Sequence, residues 1–110
     1  MLAIEFGEKH GSCPEAMEWR RSLGPTATQA DAWKACPFGC WMLWQVWRGI
    51  SFDKYLETLP ALDKAVKRTA GTSWRHDNVT DTRSLNRAAE AWQKHQADEI
   101  RAEIPEWPGE

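Results

Sequence analysis

Residues 33–47 read WKACPFGCWMLWQVW and form a short stretch that is dense in tryptophan. It contains four of the eight tryptophans and two of the three cysteines. Tryptophan combines a large apolar surface with one polar group, the indole N–H, so it suits a protein core and a binding surface about equally well. The stretch therefore predicts a packed aromatic centre, and it leaves the identity of any bound molecule open.

Pro37 divides this stretch between two helices. Thr28, with Asp31 three residues later, has the pattern of a helix cap, and the first helix is predicted to run from there to Cys36. Proline fits the first turn of a helix but disrupts its interior. A second helix is therefore predicted over residues 40–47.

The second helix has an aromatic face. Leu43, Trp44 and Trp47 share this face, and we expect it to be the buried one. Trp41 lies on its flank and is expected to be partly buried. Because Trp44 and Trp92 are each central to the apolar stripe of their helix, we expect the two indoles to be buried and to meet in one core.

The segments on either side predict further short helices. Ser12 begins a helix that the Leu-Gly-Pro sequence at residues 23–25 ends. Apolar residues at helical spacing predict another helix over residues 52–59. Pro60 is expected to restart the register, with a separate helix over residues 61–70.

The last helix is the longest in the prediction. Asp81 or Thr82 caps it, and its apolar stripe repeats at steps of three and four residues. The stripe consists of Leu85, Ala88, Ala89, Trp92, Gln96, Ile100 and Ile104.

The whole chain is predicted to be one all-α domain over residues 1–110, a compact bundle of about five short helices with a longer C-terminal helix. Residues 1–10 are expected to be an arm without helix, and residues 71–82 a loop rich in Gly, Thr, Asn and Asp. Residues 105–110 form a tail whose prolines prevent further helix, although Trp107 can still fold back on the body.

Composition and charge narrow the functional class. The 110 residues carry a formal net charge of −2, which gives no general attraction to nucleic acid or to anionic lipid. The N-terminus has no basic segment followed by a long apolar one, and no apolar run is long enough to span a bilayer. These features predict a cytoplasmic protein with reduced thiols.

Few residues in the sequence have the types and spacing of a catalytic motif or a metal site. His10, Cys13, Cys36 and Cys40 are the ligand types of a structural zinc site, but their spacing is not a strong zinc signature and buried thiols also act as small apolar residues. No phosphate-binding loop, dinucleotide-binding glycine pattern, HExxH or GxSxG occurs. We therefore expect a protein that is not an enzyme and that holds no metal or other cofactor.

The strongest binding candidates lie in the predicted loop. Trp74, Arg75 and His76 combine an aromatic and a cationic side chain, the pairing most enriched at interface hot spots. Trp74 filling a gap beneath the loop is an equally good interpretation. Arg83 and Arg87 extend this region as partner-binding candidates, although a solvated basic face explains such charges at least as well as a phosphate-binding track.

Four segments together resemble a family of small immunity proteins encoded in bacterial and phage genomes. They are SCPEAMEW at 12–19, ATQADAWKAC at 27–36, FGCWMLW at 38–44 and ADEIRAEIP at 97–105. In that family an alanine-rich, Cys-containing helix and a W-x-x-C segment lead into a G-D-W-[ML]-L-W motif. Here Cys40 stands at the usual aspartate, and Phe38 stands where a basic residue is common.

The resemblance implies an all-helical, non-enzymatic protein that acts by binding another protein, such as a bacterial host or defence-system component. An immunity-type protein and a phage inhibitor of host defence, such as an anti-CRISPR, are both consistent with it. The alternative from another class is a small nucleic-acid-associated regulatory factor. The oligomeric state and the target stay open at this point.

Overall fold

The computed structural model of this protein describes residues 1–70 and 82–109, excluding the side chains of residues 70 and 82–88. Within these residues the chain is helical, and its one strand-like pairing is a single bridge between Leu2 and Thr28. The helices are α1 Ala3–His10, α2 Pro14–Ser22, α3 Gln29–Ala35, α4 Gly39–Gly49, α5 Phe52–Ala70 and α6 Thr82–Glu103. The predicted all-α class, with its longest helix at the C-terminal end, is confirmed.

The predicted cap and end of α3 are confirmed, whereas α2 begins one residue later than predicted. Cys13 and not Ser12 is the N-cap residue of α2, and it makes no side-chain cap hydrogen bond. Thr28 Oγ1 accepts a hydrogen bond from the Asp31 backbone N–H at 3.1 Å, and Asp31 Oδ2 accepts one from the Thr28 N–H at 2.9 Å. These bonds lower the pKa of the Asp31 carboxyl. Helix α3 stops at Ala35, and Cys36 turns to an extended conformation before Pro37.

The prediction of a non-helical arm over residues 1–10 is wrong, because this segment forms α1. A helix of 8 residues is too short to be stable alone, so its packing decides the conformation. Phe6 enters the core, and the Ala3 N–H donates to the Ala27 carbonyl at 2.9 Å. Gly7 lets α1 lie close to α2, since a Cβ there would overlap Met17 Sδ.

The predicted break at Pro60 is also wrong, because α5 continues through it as one helix of 19 residues. Proline lacks the N–H that would bond to the carbonyl of Leu56, four residues earlier. Both residues lie on the exposed side of α5, where water can bond to that carbonyl. The apolar residues Leu62 and Ala65 bury the opposite side and hold the helix together.

Helix α4 buries a different face from the one predicted. Met42, Gln45 and Val46 are buried, whereas Leu43 is only half-buried and Trp47 is 61% exposed. The buried face begins at Gly39, where a Cβ would lie 2.7 Å from Gln96 Cβ of α6. The smaller residues thus allow a close approach of α4 to α6 that a face of indoles would prevent.

The predicted shared core of Trp44 and Trp92 is not formed as expected, because both side chains are half-buried. Trp44 packs edge-on against Phe6, with ring centroids 6.2 Å apart. Trp92 instead donates its indole N–H to the Thr69 carbonyl at 3.3 Å. Each indole therefore lies at the margin of the core, and Trp41 is half-buried as predicted.

The aromatic centre is built around Trp33 and Trp107. Both are buried, with ring centroids 5.5 Å apart. Trp33 also donates its indole N–H to the Ile104 carbonyl at 2.8 Å. Trp107 packs edge-on against Phe6, so the tail does fold back on the body.

Helices α5 and α6 run antiparallel and are joined by charged side chains. Arg68 lies 2.6 Å from Glu99 and 2.6 Å from Glu103, and Lys64 lies 3.8 Å from Glu103. Because Glu103 is the last residue of α6, the turns of α5 before residue 60 extend beyond its end. This arrangement leaves the first half of α5 uncovered by α6.

Candidate functional site

The partner-binding residues predicted from the sequence lie outside the described part of the chain. Trp74, Arg75 and His76 belong to residues 71–81, and Arg83 and Arg87 belong to α6 at positions whose side chains are not described. Their role in partner binding stays a prediction.

Cys36 is occupied by hydrogen bonds within the core. Its thiol donates to the Phe38 carbonyl at 3.5 Å and accepts from Gln45 Nε2 at 3.4 Å. Burial raises the pKa of this thiol to about 11. Cys36 is therefore a neutral thiol at physiological pH, which makes it a poor nucleophile.

The other candidate zinc ligands do not gather around Cys36. Cys13 and Cys40 are exposed, and the His10 ring packs against Phe6 with centroids 4.5 Å apart. Burial is the main cause that lowers the pKa of His10. Among the residues that the structure describes, no three His, Cys, Asp or Glu side chains converge as a metal site would require.

A cavity of about 290 Å³ opens between α2 and α4. We call it the arginine pocket. Its walls are largely apolar and aromatic, and the residues that matter for its chemistry are Cys13, Ala16, Trp19, Arg20, Cys40, Trp41 and Trp44. Trp19 and Trp41 lie on facing helices with ring centroids 5.6 Å apart.

Arg20 brings a buried positive charge to this pocket. Its side chain is 1% exposed, and Nη1 donates to the Ala3 carbonyl at 2.9 Å and to Gln29 Oε1 at 2.7 Å. Nε is buried and has no hydrogen-bond partner among the described residues. Burial lowers the pKa of Arg20, and none of the described carboxylates forms an ion pair with it.

A chain of hydrogen-bonded side-chain amides leads from Arg20 into the core. Gln29 Nε2 donates to Gln45 Oε1 at 2.6 Å, and Gln45 Nε2 donates to the Trp41 carbonyl at 3.1 Å. Every acceptor in this chain is neutral. The chain fixes the position of the guanidinium without neutralising its charge.

A second feature is an apolar surface where α4 meets α5, which we call the exposed aromatic surface. Phe52 is 73% exposed and Trp47 is 61% exposed, and together with Ile50 and Tyr55 they line a groove of about 260 Å³. Arg48 stacks over the Trp47 ring at 5.0 Å from its centroid. The surface consists of Trp47, Ile50, Phe52, Tyr55, Leu56 and Leu59.

The basic residues in the second half of α5 are paired with carboxylates. Lys67 lies 2.9 Å from Asp63, and this contact raises the pKa of Lys67. Arg68 is held by Glu99 and Glu103, and these hydrogen bonds raise its pKa. The paired charges of α5 form a mixed surface, which does not favour a phosphate-binding track.

Sequence reasoning missed both features for identifiable reasons. Arg20 falls four residues after Ala16 and three after Met17, so helical spacing places it on the buried face of α2. Phe52, with Leu59 seven residues later, follows helical spacing, but spacing cannot show that α6 ends too early to cover this stripe.

Comparison with known proteins gives no match among family models, curated proteins or solved structures. No described helix has the combined length and apolarity needed to cross a membrane.

Proposed function

We propose that this protein is a non-enzymatic inhibitor that blocks a partner protein through the exposed aromatic surface. The observation that carries the proposal is that Trp47 and Phe52 are both exposed and line one groove. Aromatic side chains exposed together in water are costly, and such patches mark interaction sites. Tryptophan paired with arginine, as in Trp47 and Arg48, is typical of interface hot spots.

The surroundings of this surface match the anatomy of a protein interface. Exposed residues of both signs, Asp53, Lys54 and Glu57, lie on α5 beside the apolar stripe. An apolar centre with a polar rim is the usual arrangement at protein interfaces. The partner surface that fits has an apolar groove for Trp47 and Phe52 and an acidic side chain near Arg48.

The resemblance of residues 38–44 to the immunity-protein motif supports a phage or mobile-element origin. On this proposal the partner is a bacterial host or defence-system protein, for example a CRISPR effector, and blocking needs no catalytic group. The predicted site at Trp74 and Arg75 is a second contact region in the same proposal. The nucleic-acid alternative has less support, because the basic residues in the second half of α5 pair with carboxylates.

Site-specific cross-linking tests the proposal. A photoreactive phenylalanine replaces Phe52 in one variant and the exposed α6 residue His95 in the matched control, and each is irradiated in nuclease-treated lysate from a host cell. We expect one protein to be captured from position 52 and not from position 95. Capture of the same proteins from both positions contradicts a specific surface at α4 and α5.

Affinity for the purified partner provides the quantitative test. Trp47→Ala combined with Phe52→Ala should raise the Kd by about 100-fold or more, since each hot spot contributes roughly 2 kcal/mol. The control Glu90→Ala with His95→Ala should leave the Kd unchanged. Circular dichroism verifies that all variants fold.

Other outcomes overturn the proposal in distinct ways. Loss of binding only on Trp74→Ala with Arg75→Ala moves the interface to residues 71–82. A homodimer that dissociates on Trp47→Ala with Phe52→Ala means that a second copy covers the surface. Binding that disappears with nuclease and falls log-linearly with salt supports the nucleic-acid alternative.

A further inference from the structure

The arginine pocket has a feature that protein binding at the exposed aromatic surface does not explain. Arg20 is buried, yet the described hydrogen bonds of its guanidinium go only to neutral oxygens of Ala3 and Gln29. The guanidinium also lies over the rings of Phe6, at 4.9 Å, and Trp19, at 5.7 Å, and these contacts stabilise a cation without bringing a negative charge. Burying a charge is costly unless an opposite charge compensates it. A protein that retains such a cation beside a cavity has a site prepared for an anion.

Among the described residues, Cys36 is the acidic group that interacts electrostatically with Arg20, and it does not supply the charge. Burial keeps it as a thiol. Nη1 makes both described hydrogen bonds, and the buried Nε has no partner among the described residues. Nε is sealed against Gly7 of α1, whereas Nη2 makes none of the described hydrogen bonds and is not sealed in this way. A carboxylate oxygen can accept a charge-assisted hydrogen bond from such a guanidinium N–H.

The other residues that line the pocket indicate the chemistry of the part of the ligand that does not contact Arg20. Trp19, Trp41 and Trp44 line the pocket together with Ala16, so an aromatic ring or short aliphatic body would be surrounded by apolar surface. The volume of about 290 Å³ is at the small end of the range for ligand pockets. The size excludes a large cofactor and fits a small molecule or a single terminal residue.

We propose that the arginine pocket binds a small organic carboxylate with an aromatic body, with its carboxylate on Arg20 and its ring among the indoles of Trp19, Trp41 and Trp44. The carboxylate neutralises the buried charge, and the indoles bury the ring. This proposal is independent of the partner protein, because the pocket lies between α2 and α4 and the exposed aromatic surface lies on α4 and α5.

Calorimetric titration with phenylacetate and its neutral analogue phenylacetamide tests the proposal. We expect phenylacetate to bind one to one and about tenfold or more tighter than phenylacetamide, since only the anion pairs with Arg20. Equal affinity for the two probes, or no saturable binding of phenylacetate at millimolar concentration, overturns the proposal.

Two variants locate the binding site. Arg20→Gln should abolish the preference for the anion, and thermal melting measures what this change does to folding. Cys40→Trp fills the mouth of the pocket from an exposed position and leaves Arg20 in place, so it should abolish phenylacetate binding in a folded protein. The matched control Ala91→Trp, at an exposed position of α6, should bind normally. Unchanged binding by Cys40→Trp overturns the assignment.

Two further titrations are needed. One distinguishes a small-molecule carboxylate from the carboxyl terminus of a protein, and the other tests whether the pocket works independently of the exposed aromatic surface. Acetyl-Gly-Phe with a free carboxylate, compared with its C-terminal amide, tests whether a peptide terminus is preferred over phenylacetate. Tighter binding of the free peptide identifies a protein terminus as the source, and tighter binding of phenylacetate identifies a small molecule. Trp47→Ala with Phe52→Ala should bind phenylacetate like the parent, whatever its effect on a partner protein.

Discussion

The indole Nε1 of Trp33 donates a hydrogen bond to the backbone carbonyl of Ile104 at 2.8 Å, across 71 positions of the chain. This bond joins α3 to the segment immediately after α6. Arg101 reinforces the same junction by donating to the Cys36 carbonyl at 2.6 Å. The end of α6 and the break at Pro37 are thus held together, and this junction fixes where α4 begins.

The first prediction ranks three tryptophans by their burial. Trp33→Ala should lower the free energy of unfolding by about 3–5 kcal/mol, because a large buried side chain and its hydrogen bond are lost. Trp44→Ala should cost less, since Trp44 is half-buried. Trp47→Ala should stay within about 0.5 kcal/mol of the parent. Urea denaturation measures all three, and equal losses would contradict the described core.

The second prediction concerns the close contact of α4 with α6. Gly39→Ala should destabilise the protein by about 1–3 kcal/mol, because the new methyl group would meet Gln96. Alanine is otherwise the better helix former by about 1 kcal/mol, so a gain in stability would show that the helices lie further apart than described. Thermal unfolding provides the measurement.

The third prediction is a stability change at alkaline pH caused by Cys36. Its pKa is about 11 in the folded protein against an ordinary value of 9.0, so the folded state binds the proton more tightly. The stabilisation is complete below pH 9 and is lost as pH rises through 11, by about 2–3 kcal/mol. Cys36→Ala removes this contribution. Parallel pH profiles for parent and variant would contradict the burial of the thiol.

The fourth prediction distinguishes the cysteines by their reactivity. Cys13 and Cys40 are exposed and should react with a thiol reagent in the native protein, whereas Cys36 should react only after unfolding. Counting the released chromophore with and without denaturant measures this difference. Rapid native labelling in a Cys13→Ser/Cys40→Ser variant would show that Cys36 is accessible.

Local boundaries were predictable because the interactions that set them lie within a few residues. The cap of Thr28 with Asp31 joins positions three apart, and Pro37 acts on the helix next to it. The end of α2 at Ser22, just before residues 23–25, has the same local origin. For these features the identity of the residues is enough.

The buried face of each helix was less predictable, because it depends on the position of a neighbouring helix. Apolar spacing predicted that Trp47 would be buried. The structure instead buries Gly39, which permits close packing against Gln96 of α6, and Val46. Pro60 was expected to end a helix, yet its exposed position lets water replace the missing donor. No local pattern contains this information.

The sequence by itself determined the all-α class, the end of α2 and the break between α3 and α4, since caps, prolines and glycines act on their own turn of backbone. Only the tertiary structure decided that residues 3–10 are helical, that Arg20 is buried beside a cavity and that Phe52 is left in solvent. Each of these outcomes depends on how closely two distant helices approach and where one ends beside the other. Those distances result from packing volumes summed over the whole chain.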